Sequence, residues 1–418
     1  IARQLTRVGP AFLSKAPCGV ATSQLLITPF RALPGASKLS SKRLNGWVRS
    51  SESIMLVNSR ESLFFNTPEI FVDETRALLA KQSSGPQNAD PHLLLEWFMV
   101  LAETAMPEGA LLALFPLSQG KERESSFLPA MVLPNEHGKI LALATFYTPL
   151  FGLINEANAD EVALTQLAEL LRQTKPPFNE ARFSPMDTES RSFALLKKCF
   201  KNAGWLVDDF VCFGNWHQKT NPGNYATYLS ERPSRLQNTL LRAEKKLSKS
   251  SGYRLQIVQQ DNALLGAAID AYVQVYNQSW KVPEPFPEFI PGLCQLAAQK
   301  GWLRLGLIFL DNLPIAAQLW LVVEKKAYIV KLAYDQKFVK TSAGTVLTGA
   351  LFRHVIDVDR VEEVDYLMGD DQYKQDWMSE RRERRGIIAF NPQSPLGIAK
   401  AVYHFGGKIL RKYSPFKK

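Results

Sequence analysis

The chain reads as an α/β (α+β) protein, and three observations predict it. Strand-like apolar runs alternate with helix-period stretches from residue 92 onward. The last third carries a hairpin, a third strand, a loop, a helix and a further strand in close succession. A hydrophobic content of 46% over 418 residues supplies two or three buried cores. No run of about 18 apolar residues occurs, so no membrane-spanning helix is expected.

The elements follow in order. Residues 81–91, "KQSSGPQNADP", are a loop rich in turn formers. "HLLLEWFMVLAETA" then reads as a helix, and "GALLALFPL", "FLPAMVLP" and "KILALATFY" as strands. "EVALTQLAELLRQT" is helical, "RFSPM" extended, "SRSFALLKKCFKNAGW" helical and "LVDDFVCFGNWHQ" extended. In "YATYLSERPSRLQNTLLRAEKKLSKSSG", Leu236, Leu240, Leu241 and Leu247 recur at helical spacing. This reads as a bridging helix with solvated charges, since no aromatic stacking platform interrupts them. "YRLQIVQQ" is a strand and "NALLGAAIDAYVQVYNQSW" a helix ending near Trp280, followed by a Pro-rich loop, "KVPEPFPEFIPG". "WLRLGLIFL" and "LPIAAQLWLVV" form a hairpin across Asp311-Asn312. "AYIVKLAY" is the third strand. "DQKFVKTSAG" opens the helix "TVLTGALFRHVIDV", and "VEEVDYLM" and "GIIAF" are strands.

Charge is unevenly spread. Residues 1–50 hold eight Lys/Arg and residues 386–418 hold six, with no Asp or Glu in either, while the remainder carries 36 basic against 40 acidic residues. A mildly acidic body argues against a specific nucleic-acid partner. The basic ends fit an anionic membrane surface. Residues 393–418 read as a basic amphipathic tail, with Ile398, Val402, Phe405, Ile409 and Leu410 on one face. Residues 1–50 read as a basic arm, and an organellar targeting role for them stays open. The cysteines Cys18, Cys199, Cys212 and Cys294 are far apart and read as reduced thiols. The five histidines lack metal-ligand spacing, and His354 reads as a packing or surface residue, so no metal is expected.

Two stretches carry chemistry. The loop Asp335–Thr345 leads from a strand into a helix N-terminus, whose free N–H groups and dipole suit an anion. There Lys337 and Lys340 add charge, Thr341 and Ser342 add hydroxyls, and Gly344 permits close backbone approach, as a pyrophosphate seat requires. The second is "YLMGDDQYKQDWMSERRERRG". It begins at a strand's carboxyl end, where open α/β sheets bind ligands. Alternation puts Asp365 and Leu367 on one face and Val364 and Tyr366 on the other. Gly369 turns the chain into a helix that Asp370 or Asp371 caps, with Tyr373 and Lys374 in its first turn. A lysine there opposes the dipole, which favours a role with an anion. "SERRERR" reads as a solvated, self-paired surface.

The order of these elements, with "SAGTVLTG" and "GDDQYK" as a pair, resembles the GNAT acyltransferases. In detail it resembles the Fem-like, cellulose-biosynthesis-associated GNAT acetyltransferases of bacteria, over about residues 90–390. The resemblance implies two tandem GNAT-like halves with mixed, mostly antiparallel sheets flanked by helices. The first half is expected over 51–250 with the bridging helix, and the second over 251–392. It implies an N-acyltransferase that moves an acyl group from acyl-CoA (acetyl-CoA) or an acyl carrier protein to an amine on a small molecule, sugar or peptide. The implied setting is envelope polysaccharide metabolism, in the cytoplasm or on the inner membrane face. Acyl transfer to an amine needs a base, an oxyanion site and an acid. Asp365 and Asp371 are candidate bases or amine ligands, Tyr373 the acid, and Lys374 the oxyanion or phosphate contact. Trp280 and Tyr334 are expected to wall the pocket. The GNAT phosphate signature Arg/Gln-x-x-Gly-x-Gly/Ala is not matched after Gln336, so an aminoacyl-tRNA-dependent ligase and a non-catalytic scaffold remain open.

Overall fold

The computed structural model describes residues 47–49, 53–56, 63–81, 90–117, 125–136 and 138–413. Most of the expected basic arm, Cys18 and residues 414–418 of the tail lie outside the described residues. The first part of the chain gives β1 (Trp47–Arg49), β2 (Ser53–Leu56), β3 (Leu63–Asn66), α1 (Pro68–Lys81), α2 (Leu95–Thr104), β4 (Leu111–Pro116), β5 (Phe127–Val132) and β6 (Lys139–Ala142). It continues through α3 (Glu161–Gln173), β7 (Glu180–Asp187), α4 (Arg191–Asn202) and β8 (Leu206–Lys219). The second part gives α5 (Tyr225–Ser230), α6 (Ser234–Leu247), β9 (Arg254–Val258), α7 (Leu265–Asn277), α8 (Phe289–Gln299), β10 (Leu303–Leu310), β11 (Leu313–Val323) and β12 (Lys326–Tyr334). It ends in α9 (Ala343–Arg353), β13 (Glu363–Asp365), β14 (Glu380–Phe390) and α10 (Pro395–Tyr413).

The halves repeat one plan: a strand, two helices, three antiparallel strands, a helix and a parallel strand. All strands join one sheet, ordered β1-β2-β3-β4-β5-β6-β7-β14-β8-β13-β12-β11-β10-β9. Among the described residues only β6–β7 and β12–β13 pair parallel. The last strands are exchanged: β14 of the second half runs between β7 and β8, and β8 of the first half runs between β14 and β13. Each half therefore completes its sheet with a strand from the other.

The hairpin β10–β11 forms as its turn chemistry dictates. Asp311 and Asn312 take left-handed φ of 47° and 66°, as a two-residue turn of this type needs. Both faces of β11 are covered, so the strand is apolar nearly throughout. Ala317, Leu319, Leu321 and Val323 join the core under α7 and α8. Ala316, Trp320 and Val322 join a second core under α6 and α9.

Three expectations need correction. The bridging helix α6 does not belong with the first half: Leu236, Leu240 and Leu247 are buried in the core that holds Trp320 and Leu347. The Pro-rich loop ends early, because α8 begins at Phe289. Pro291 is tolerated in its first turn, where a backbone N–H has no intrahelical partner. "SERRERR" is only in part a solvated, self-paired surface: from Glu380 it is the central strand β14, in which Arg381 and Glu383 are exposed and Glu383 pairs with Arg385, whereas Arg384 is buried. Its charges are paired across the seam, Arg382 with Glu363 and Asp365, Arg384 with Asp187, and Arg385 with Asp209.

Candidate active site

β12 and β13 pair only over Lys326–Tyr328 and Glu363–Asp365. Beyond Tyr328, β12 runs on to Tyr334 without that neighbour, and the two chains part. A cavity of about 110 Å³ occupies the gap. Trp280, Leu332, Tyr334, Ser342, Gly344, Thr345, Tyr366 and Tyr373 are among the residues lining it. The cavity thus joins five sequence candidates, Trp280, Tyr334, Ser342, Gly344 and Tyr373. Trp280 and Tyr334 meet ring to ring at 4.5 Å. A bulge in the β11–β12 pairing pairs Leu319 with Lys331 and Trp320 with Ile329, so Val330 is the extra residue. Its peptide unit is left out of the ladder at the point where β12 parts from β13.

The first turn of α9 closes one end of the cavity. Ser342 holds a left-handed φ of 56° and makes no side-chain cap. Thr341 Oγ1 donates to the carbonyl of Phe338 at 2.6 Å and accepts from the N–H of Ala343 at 3.2 Å. Its hydroxyl is therefore a local brace rather than part of the lining. Lys337 and Lys340 are exposed on the 3-10 turn Gln336–Thr341, outside the cavity lining but beside it in the chain. Gln318 fixes the helix to the sheet: its Nε2 donates to the carbonyl of Gly344 at 3.0 Å and to Thr348 Oγ1 at 2.7 Å, and its Oε1 accepts from Trp320 Nε1 at 2.9 Å. Gly344 packs closely for a reason the sequence does not display. A Cβ there would stand 3.1 Å from Cδ1 of Tyr334, the ring that walls the cavity.

Asp365 and Tyr366 point to opposite faces, as alternation predicts: Leu367 joins the core under α7 and α8, whereas Val364 and Tyr366 join the other. Asp365 is 1% exposed and bound by Asn215 Nδ2 at 2.6 Å, Lys326 Nζ at 3.3 Å and Arg382 Nη2 at 2.5 Å. Burial alone would raise its carboxyl, but Lys326, Arg382, Asn215 and Arg384 hold it below the usual range. A carboxylate so held is a poor base.

Tyr373 lies edge-on to Tyr366 at 5.8 Å, and burial, reinforced by Asp371, keeps its hydroxyl protonated far above the usual tyrosine range. Lys374 is not in the first turn of an α-helix. Residues Gln372–Asp376 form a 3-10 turn whose last turn contains it, so the dipole argument does not apply. Its buried ammonium donates to the carbonyls of Tyr366 at 3.5 Å, of Met368, and of Gly369 at 3.3 Å. It also lies 3.5 Å from Asp371 Oδ2. Asp371 is the N-cap of the turn but makes no side-chain cap bond, and its side chain is half exposed.

Sequence reasoning missed a cluster on the face of β12 opposite the cavity. Glu284, from the Pro-rich loop, accepts from Tyr147 Oη at 2.7 Å and from Lys331 Nζ at 2.8 Å. The Lys331 ammonium lies 5.0 Å from the ring centres of Phe146 and Tyr147 and 5.7 Å from that of Tyr276. Tyr147 and Glu284 are 137 residues apart, so no local pattern could announce the pair. Farther along that face a larger cleft of about 350 Å³ is lined by Asp90, Glu156, Asp187, Lys326, Arg382 and Arg384, among others. Its cations are paired, Lys326 and Arg382 with Asp365 behind the cleft and Arg384 with Asp187 in its lining. Among the described residues no group of three His, Cys, Asp or Glu could hold a metal ion.

Residues 234–375 match the family model of the acetyltransferase (GNAT) domain. The crystal structure of FemX superposes with a TM-score of 0.53 at 12% identity, covering 79% of this chain and 98% of that one. A conserved protein of unknown function from Bacteroides thetaiotaomicron gives 0.50 at 10% identity, covering 78% and 99%. A tandem GNAT protein from the clavulanic acid biosynthesis pathway gives 0.40 at 14% identity, covering 78% and 96%. No match is found among curated proteins.

Proposed function

From a chain that carries an acetyltransferase domain of the GNAT type within a Fem-like fold, we propose an N-acyltransferase that moves an acyl group from a thioester donor, acyl-CoA or an acyl carrier, to an amine. The carrying observation is the parting of β12 from β13 over a cavity that ends at the first turn of α9. The thioester lies in that gap, against Trp280 and Tyr334. Its phosphates meet Ser342 and the N–H groups of Gly344 and Thr345, with Lys337 and Lys340 at the rim. The unladdered peptide at Val330 faces the developing oxyanion. Tyr373, which lines the cavity, delivers a proton to the leaving thiolate. Asp371, half exposed beside the turn, receives the acceptor ammonium. Asp365 and Lys374 hold this arrangement in place rather than reacting. The implied acceptors are amines on small molecules, sugars or peptides of the cell envelope. The experiment is a thiol-release assay with acetyl-CoA and longer acyl-CoAs against a panel of amines. Turnover with at least one pair is expected; no turnover with any thioester or ester donor would leave the scaffold reading. The Fem-like resemblance implies a second reading, in which an aminoacyl-tRNA ester replaces the thioester; turnover with that donor alone would select it.

The cellular setting is read from α10. Among its exposed residues are Leu396, Ile398, Val402, Tyr403, Ile409 and Leu410. The helix docks by its other side, where Ala401 and Phe405 pack with Phe390, Lys400 binds Glu180, and His404 and Lys408 bind Asp208. Its outward arc is therefore apolar, and no Asp or Glu occurs between residues 386 and 418. A strip one helix wide and roughly 28 Å long is smaller than the ~800 Å² per partner of a stable protein interface. It suits the headgroup boundary of an anionic membrane on the cytoplasmic side. No helix among the described residues is long and apolar enough to cross a membrane.

A further inference from the structure

Three lysines, Lys281, Lys331 and Lys374, stand near the parting strands, and their partners differ. The ammonium of Lys331 is taken by Glu284 at 2.8 Å. That of Lys374 is taken by three carbonyls and Asp371. That of Lys281 has no carboxylate or carbonyl partner among the described residues; it rests 5.8 Å from the ring centre of Tyr276 and 5.9 Å from that of Trp280. Trp280 is one wall of the cavity, so Lys281, which does not itself line it, stands behind that wall within 5.9 Å of the ring centre. The one carboxylate on its inner side, Glu284, has each oxygen occupied, Oε1 by Lys331 and Oε2 by Tyr147. An ammonium with no hydrogen-bond partner, in the field of two other ammoniums as well as of Glu284 and Asp371, is the group here most ready to be neutral.

We infer that the Lys281 amine is the proton acceptor for the incoming ammonium of the acyl acceptor. This rests on the N-acyltransferase reading above and deepens it. The groups around Lys281 are Tyr276 from α7, Glu284 from the loop before α8, Lys331 from β12, and Asp371 and Lys374 from the turn after β13. Burial first, then Lys331, pushes its amine down to about 8 against the pull of Glu284. That lies near the working pH, where a general base is most effective. In the step, the Nζ lone pair takes a proton from the acceptor ammonium. The freed amine attacks the thioester carbonyl, and the C=O π pair moves onto oxygen. Collapse of the tetrahedral adduct breaks the C–S bond. Tyr373 protonates the thiolate and regains its proton from Lys281, while the remaining N–H proton leaves to solvent. The products are an amide, a thiol and one proton.

The test compares wild type, Lys281→Met and Lys281→Arg with acetyl-CoA and the best amine of the panel. It is repeated with a hydrazide acceptor, which is neutral at the assay pH. Both variants are expected to bind CoA within about twofold of wild type by calorimetry and to lose roughly 100-fold or more in kcat/KM with the amine. The loss should be much smaller with the hydrazide, which needs no prior deprotonation. Wild-type kcat/KM should rise through pH about 8. Near-normal amine turnover in Lys281→Met, activity restored by Lys281→Arg, or equal losses with both acceptors would overturn the inference while leaving the acyltransferase reading standing. A wild type inactive with every pair would overturn both. Should Lys281→Met fail to fold, Lys281→Gln carries the same comparison.

Discussion

At the scale of single residues, position and role separate. Asp365 and Lys374 lie where the sequence puts them, at and beyond a strand end, yet their polar atoms are consumed by neighbours. Replacing Asp365 by Asn removes the negative charge that Lys326 and Arg382 share, and breaking such a buried pair costs about 3–5 kcal/mol. A denaturant titration should read that loss. The sign of the pH effect follows from the direction of the shift. The folded carboxyl is held below its unfolded value, so its contribution is full above the ordinary carboxylate range and is lost as pH falls through the folded value. Wild type should therefore lose stability in acid more steeply than Asp365→Asn; parallel acid curves would contradict this. Lys374→Met should lower stability by about 1–3 kcal/mol, because it strands buried carbonyls. Unchanged unfolding midpoints would mean that these contacts are not maintained in solution.

At the scale of elements, the hairpin β10–β11 was legible because apolar runs and an Asp-Asn turn agree. The alternation through Val364–Leu367 was legible for the same reason. The strand β14 was not, since its arginines find their partners 17 and 197 residues away, beyond any local window. Helix α8 was hidden by Pro285, Pro287 and Pro291, of which only the last lies inside it. The loop before α9 was legible as a turn that delivers the chain into a helix N-terminus, but its division of labour was not. Ser342 and Gly344 line the cavity, Thr341 braces the turn, and the lysines stand outside. Gly344→Ala tests the seat with one methyl group. It would press on Tyr334 at 3.1 Å, a contact the neighbour must yield to. CoA affinity should fall several-fold, by about 1 kcal/mol, as overpacking at such a site typically costs, with the fold intact by circular dichroism. Unaltered affinity would locate the donor elsewhere.

At the scale of the whole molecule, the exchange of β8 and β14 ties the two halves into one sheet and brings Tyr147 of the first half to Glu284 and Lys331 of the second. The first half thus contributes Tyr147 to the cluster around Lys331 as well as repeating the plan of the second. α10 sits on the same body with its apolar arc outward. Val402→Glu with Leu410→Glu should abolish co-sedimentation with anionic vesicles while leaving thiol release from soluble substrates unchanged. Wild-type binding should weaken with salt, since each basic residue near the surface adds about 1 kcal/mol. A protein that dimerises through α10 and ignores vesicles would instead make this face an interface between copies. The central claim is that a thioester donor enters between β12 and β13, and a crystal structure with bound CoA tests it most directly. The account predicts the sulfur end between Val330 and Tyr373 and the pyrophosphate at Ser342–Thr345. CoA found in the cleft lined by Arg382 and Arg384, or no CoA in the gap at saturating concentration, would contradict it.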